Sequence, residues 1–171
     1  LFGFSIGGIA GIAYDIFSKS QSNREPCIPS NFFSMTIALL TPFIMFLFLW
    51  LNGVNSILAS SFGALLGTVV IVYQRKDLVL NAIWSGLLTV GVLFSVYFLL
   101  TLIVANEEIL MQAIWLLNST NLDVRLHGIP LTELFWAFSC GSFLSPFYET
   151  VSSLWRITPN NYRVNSVCSV Q

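Results

Sequence analysis

Charge is scarce in this chain. Only 9% of its 171 residues are Asp, Glu, Lys or Arg, whereas 56% are hydrophobic. A soluble domain carries about 25% charged residues. The composition leaves too little polarity to cover a water-facing surface and predicts an integral membrane protein. The few basic residues form no patch and do not interleave with aromatics, which excludes a nucleic-acid partner. Three cysteines, Cys27, Cys140 and Cys168, stand far apart without a CxxC pair. That spacing excludes a disulfide framework, and Cys140, inside an apolar run, reads as a small packing residue. One histidine and no His/Cys/Asp cluster leave no metal site by spacing. No glycine-rich phosphate loop follows a strand, and no serine-nucleophile motif is present. No cofactor is expected. The first 17 residues lack a basic leader, so they are not read as a signal peptide.

What the chain does contain is a repeat. Phe4-Ser5-x-Gly7 followed by Tyr14-Asp15 recurs as Phe138-Ser139-x-Gly141 followed by Tyr148-Glu149, every matched residue offset by 134. Both copies are apolar runs closed by an aromatic and an acid. A carboxylate at the end of a membrane-length run is costly, and two at equivalent places suggest a duplicated bundle with one shared interior. In this register Leu1 aligns with Phe135. The counterpart of residues 129–134 is therefore expected before residue 1, and the chain is expected to be a fragment of a longer protein.

Five segments reach the length needed to cross about 30 Å of hydrocarbon: residues 1–17, 32–51, 56–73, 78–105 and 131–151. The predicted fold is an all-α, polytopic transmembrane helical bundle. Residues 18–31 are polar, with Pro26 and Pro29 as breakers. Asn52-Gly53-Val54-Asn55 is a tight turn, and Gln74-Arg75-Lys76-Asp77 is short and charged. Residues 107–117, within the long connection 106–130, form an amphipathic stretch suited to the bilayer surface. With five spans, Lys19, Arg24, Arg75, Lys76, Arg156 and Arg163 share one side, and only Arg125 lies on the other. The positive-inside rule makes the first side, with the C-terminus, cytoplasmic. Three helices separate the repeat copies, so the repeats are expected to be parallel. Trp50, Trp84, Trp115 and Trp155 read as interfacial anchors. The organisation expected is the end of a first repeat unit with its cytoplasmic loop (1–31), a linker helix and turn (32–55), a second unit (56–151) and a cytoplasmic tail (152–171).

Gly7-x-x-x-Gly11 and Gly63-x-x-x-Gly67 each place two glycines on one helix face, and Gly141 with Ser145 repeats the small-xxx-small pattern. Such faces let backbones approach closely. Packing within the bundle is the favoured reading, with oligomerisation as the other. Pro42 and Pro146 interrupt helices and are expected to kink them.

The most informative polar segment is Arg125-Leu126-His127-Gly128-Ile129-Pro130-Leu131-Thr132-Glu133. Pro130 suits a helix start, and Glu133 then sits near the positive end of the helix dipole. The plain reading is that Glu133 stabilises the helix N-terminus. The functional reading is a membrane acid, because a carboxyl in dry surroundings holds its proton at neutral pH and can protonate an apolar substrate. Asp15 and Glu149, each preceded by a tyrosine, read either as interfacial caps or as a paired polar site near Arg75 or Lys76.

The Gly128-Ile129-Pro130-Leu131-Thr132-Glu133-Leu134 entry and the following Phe135-Trp136-Ala137-Phe138 resemble the membrane lycopene cyclase domain of the bacterial, archaeal and fungal type. In that family two three-helix units each carry a Pro-x-Glu-Glu or Pro-x-Glu-Asp motif opening an aromatic-rich helix. The resemblance implies a redox-neutral reaction: protonation of the end of a linear carotene, ring closure and proton loss. It carries the second motif acid onto Glu133, while Thr132 stands at the first acidic position. Glu133 is the candidate catalytic acid, with Glu149 and Asp15 as secondary catalytic groups. Pro130, Phe138, Tyr148 and Tyr14 are candidate substrate-binding residues. The expected partner is a membrane lipid or apolar isoprenoid entering from the bilayer, with a homo- or hetero-oligomer as a further expectation. The alternatives are a non-catalytic lipid- or carotenoid-binding or structural relative, and a small transporter, which requires a polar path from Glu133 to Glu149.

Overall fold

The computed structural model describes residues 32–103, 124–126 and 129–155. Four long helices account for most of them: α1 (Phe32–Leu51), α2 (Ser56–Gln74), α3 (Val79–Ile103) and α4 (Leu131–Trp155). A 3₁₀ turn, Lys76–Leu78, leads into α3. Two short strands, β1 (Arg125–Leu126) and β2 (Ile129–Pro130), pair antiparallel just before α4. The described chain is all-α apart from this hairpin. The first expected span, the surface stretch 107–117 and the tail beyond Trp155 lie outside the described residues. So does the first copy of the repeat, with Tyr14 and Asp15.

The turn between α1 and α2 is dictated by three polar or flexible residues. Gly53 has φ +82, a left-handed conformation that costs a side-chain-bearing residue about 1–2 kcal/mol. It closes α1 in a Schellman pattern: the Val54 amide donates to the Leu49 carbonyl at 3.1 Å and the Gly53 amide to the Trp50 carbonyl at 3.0 Å. Asn55 then opens α2, its Oδ1 accepting from the Ile57 amide at 2.9 Å, the usual satisfaction of an orphan N-terminal donor. At the other end of α2, the Arg75 amide donates to the Ile71 carbonyl at 2.8 Å.

The helices pack in the order α1, α2, α4, α3, with α4 between the two helices that precede it in sequence. Their directions follow from which residues meet. Pro42 meets Gly67 while Phe46 meets Gly63, so α1 runs antiparallel to α2. Phe62 meets Phe135 and Gly67 meets Phe143, so α4 runs parallel to α2. Gly86 meets Ser142 while Asn81 meets Glu149, so α4 runs antiparallel to α3.

Small residues make these approaches possible. A Cβ on Gly63 would lie 2.6 Å from the Pro42 carbonyl oxygen, and one on Gly67 would lie 2.7 Å from the Phe143 ring. The Gly63-x-x-x-Gly67 face therefore packs within the chain, against α1 and α4. On the other side of α4, a Cβ on Gly141 would collide with Thr89 and approach the Ser85 carbonyl oxygen to 2.8 Å.

The polarity of the bundle is inverted. Ser61, Thr68, Ser85, Thr89, Ser139, Ser142, Ser145 and Thr150 are buried, while Phe43, Ile44, Phe48, Leu80, Leu99, Leu102 and Ile103 are exposed. Ala38, Ile71 and Leu78 form one small apolar cluster with Phe143 and Phe147 against it, and Leu93 with Ala137 forms another. By length and composition two helical stretches are apolar enough to cross a membrane: Ser56–Gln74 and Lys76–Leu100. The apolar part of α1, Thr36–Leu51, is shorter. α4 has the expected position, but its serines and two carboxyls make it the least apolar of the four. Trp50 and Trp84 are both exposed, near opposite ends of the bundle.

These contacts separate two kinds of glycine. Gly141→Val drives a side chain into α3, and overpacking of this kind costs about 1–3 kcal/mol. Gly91→Val is the control, since a Cβ there meets nothing within 4 Å. Thermal unfolding in detergent should show a clear loss for Gly141→Val and little change for Gly91→Val.

Candidate functional site

The chain enters α4 through a fixed corner. Arg125 pairs with Pro130 and Leu126 with Ile129. The Leu131 amide donates to the Val124 carbonyl at 2.9 Å. Ile129 and Pro130 are fully buried, so the hairpin is anchored by apolar side chains rather than hanging from the helix. Pro130 is the last strand residue and Leu131 the first helical one. With no amide hydrogen to satisfy, proline is suited to that junction.

Glu133 follows in the first turn of α4. It is half-buried and lines an open groove of about 390 Å³ with Phe46, Ser56, Ile57, Ser60 and Trp136. Three helices build this groove. Phe46 comes from α1, and its ring stacks on Trp50 one turn later, with centroids 6.4 Å apart and planes 5° apart. Ser56, Ile57 and Ser60 come from the first turns of α2, where the Asn55 cap fixes the backbone. The Ser60 hydroxyl donates to the Ile57 carbonyl at 2.9 Å. Trp136 lies three residues after Glu133, a spacing that puts two side chains on neighbouring turns of one helix face. The groove thus offers one carboxyl, two hydroxyls and three apolar walls. It supplies a proton-transfer group beside apolar surface.

The other candidate residues lie elsewhere. Glu149 is sixteen residues further along α4, about 24 Å at 1.5 Å per residue. There it accepts a hydrogen bond from Asn81 Nδ2 at 3.1 Å, across the seam with α3. Arg75, a candidate neighbour for it, closes on Asp77 instead, Nη2 to Oδ2 at 2.7 Å. That guanidinium is only 2% exposed. Phe138 is half-buried and packs where α3 presents Gly86, and Tyr148 is exposed on the outer side of α4. Neither of these two, nor Pro130, lines the groove around Glu133. Phe46, Ser56, Ile57, Ser60 and Trp136 are lining residues that the motif did not single out. The i, i+3 spacing from Glu133 to Trp136 was readable in the sequence. Nothing local marks Phe46, which arrives from another helix.

Among the described residues no three His, Cys, Asp or Glu side chains gather in a way that could hold a metal ion. On α3 and α4, several buried hydroxyls donate to carbonyls of their own helix: Thr89 to Ser85 at 2.8 Å, Ser139 to Phe135 at 2.7 Å and Thr150 to Pro146 at 2.7 Å. The Ser85, Ser142 and Ser145 hydroxyls are buried without a partner.

Fold and site together define a class: an all-α bundle with membrane-length apolar helices and a carboxyl-bearing groove at the head of one of them. The model of the lycopene cyclase family matches residues 54–151, and the chain belongs to that family. The matched stretch takes in α2, α3, the hairpin and most of α4. Comparison with curated proteins and with solved structures returns no match.

The seam yields a test of polar burial. An unpartnered buried hydroxyl carries an uncompensated desolvation cost, so Ser142→Ala should be neutral or stabilising. Asn81→Leu removes the bond to Glu149 and should cost about 1 kcal/mol. Unfolding of the two variants in detergent should therefore shift in different directions, or only the second should shift.

Proposed function

We propose that the chain forms part of a multi-pass membrane cyclase that closes a ring at the end of a linear carotenoid or related isoprenoid without net redox change. The observation that carries this reading is the placement of Glu133: a carboxyl in an otherwise largely apolar groove, at the head of the aromatic-rich helix that ends the family-matched stretch. Glu133 is the proton donor, and Ile57, Phe46 and Trp136 hold the apolar chain beside it. The inverted polarity of the bundle supports a substrate arriving from hydrocarbon, since the exposed faces of α1 and α3 are suited to lipid. The five-span topology, the parallel repeat and the cytoplasmic C-terminus belong to the same proposal. The alternating helix directions support it. Glu149 belongs to the α3–α4 seam in this reading, and Asp15 is the equivalent acid of the first repeat.

One observation favours a second reading. Thr132 occupies the first acidic position of the family motif, and a hydroxyl is a poor proton donor. A member that binds a carotenoid or lipid without converting it fits that substitution.

Expression in lycopene-accumulating cells separates the two. The cyclase reading expects cyclised carotenes with the parent chain and at least about a 100-fold fall in their formation with Glu133→Gln, the scale of a lost general acid. An unchanged lycopene profile with the parent chain, together with carotenoid that co-purifies with it, supports the binding reading instead.

A further inference from the structure

Protonating the end of a polyene creates a charge that the groove must tolerate. The carboxyl proton adds to one carbon of a terminal double bond, and the π pair becomes the new C–H bond. The other carbon is left cationic. A second double bond closes onto it, forming the ring C–C bond and moving the positive charge to a ring carbon. A proton then leaves a neighbouring carbon for the carboxylate formed in the first step, and its C–H pair becomes the new double bond. Atoms and electrons balance without a co-reactant. Between the first and last steps, however, a carbocation sits in a groove whose walls are mostly apolar side chains.

The geometry points to Trp136 and Phe46 as the groups that hold this cation. An aromatic face attracts positive charge through its quadrupole, most strongly in tryptophan and more so when the site is desolvated. Trp136 stands on the turn next to Glu133, so the site of charge formation and the ring are neighbours on one helix face. Phe46 lines the same groove from α1, and its stacking on Trp50 fixes the orientation of its ring. The two rings come from different helices and line one groove with the carboxyl. An apolar groove built only for binding would be served equally well by aliphatic side chains. α1 lies before the family-matched stretch, which begins at residue 54, so half of this aromatic wall is contributed from outside it. The assignment rests on the proposed reaction, but what it predicts, preference for a cation over its neutral isostere, is measurable without turnover.

The probe is a long-chain alkyltrimethylammonium ion, which mimics the charged tertiary centre, against the same chain ending in a neutral tert-butyl group. Both are titrated by calorimetry into the intact chain in lipid nanodiscs. The ammonium should bind about 10-fold more tightly, within the span of desolvated cation–π contacts. Trp136→Leu should abolish that preference while leaving affinity for the neutral probe in place, and Trp136→Phe should retain part of it. Phe46→Leu should reduce it less. Glu133→Gln should leave the tryptophan-dependent share intact. The inference is overturned if Trp136→Leu keeps the full preference, or if Glu133→Gln alone removes it, since the carboxylate would then account for the attraction. If Glu133→Gln leaves the pigment profile unchanged and the preference still depends on Trp136, the cation site stands and the proposed role of Glu133 fails.

Discussion

The close fit of α4 between α2 and α3 is the constraint from which the rest of the structure follows. In hydrocarbon, helices gain little from hiding apolar surface from one another, so association depends on close van der Waals contact. α4 achieves that contact on two sides with different residues. Gly67 of α2 admits the Phe143 ring, and Gly141 of α4 admits Thr89 and the Ser85 carbonyl of α3. Each approach is available only because one partner has no side chain. Gly63 repeats the device one helix further out, where the backbone of α1 comes close at Pro42. With α4 held on both faces, its first turn is fixed relative to α1 and α2, and Glu133 is fixed with it.

That packing accounts for the inverted polarity. Hydroxyl side chains are small enough for the seams, and several return their proton to a carbonyl one turn back, so a serine or threonine can be buried without a partner on the next helix. Phe138 and Phe143 enter the seams only opposite glycines, and many other bulky apolar side chains face outward. The same bundle in water would leave its largest side chains in the wrong medium.

Much of the fold was legible in the sequence because helix length and turn chemistry are local properties. Phe32–Leu51 and the start of α2 at Ser56 fall where the hydrophobic runs and the Asn52–Asn55 breakers put them. The Gly63-x-x-x-Gly67 face packs within the chain, as its spacing suggested. Glu133 was legible too, from Pro130 and the motif around it. The packing order was not, because no local signal says that the last helix inserts between two earlier ones. The groove was therefore only half readable. Trp136 is encoded three residues from Glu133, whereas Phe46 enters through tertiary packing of a helix that reads, by itself, as a linker. α4 departs from the pattern in one further respect: a helix buried on two sides carries hydroxyls at its seams, so it is less apolar than the helices that flank it.

The separation of the two carboxyls along α4 bears on what each can do. About 24 Å apart along one helix, Glu133 and Glu149 cannot act on the same bond. Glu149 is engaged with Asn81 in a seam between helices, where removing a partner costs stability. Glu133 stands at a helix entry beside an open groove, near the end of the bundle. A proton donor for an apolar substrate needs both neighbours: apolar walls to hold the chain and a route by which the carboxyl exchanges protons with water. The proposed reaction returns the proton it takes, so on that proposal one such group suffices, and no relay through the bundle to Glu149 is required. The hydroxyls between the two acids are then packing groups: Ser139 closes on the Phe135 carbonyl of its own helix, and Ser142 and Ser145 make no hydrogen bond that would link the acids.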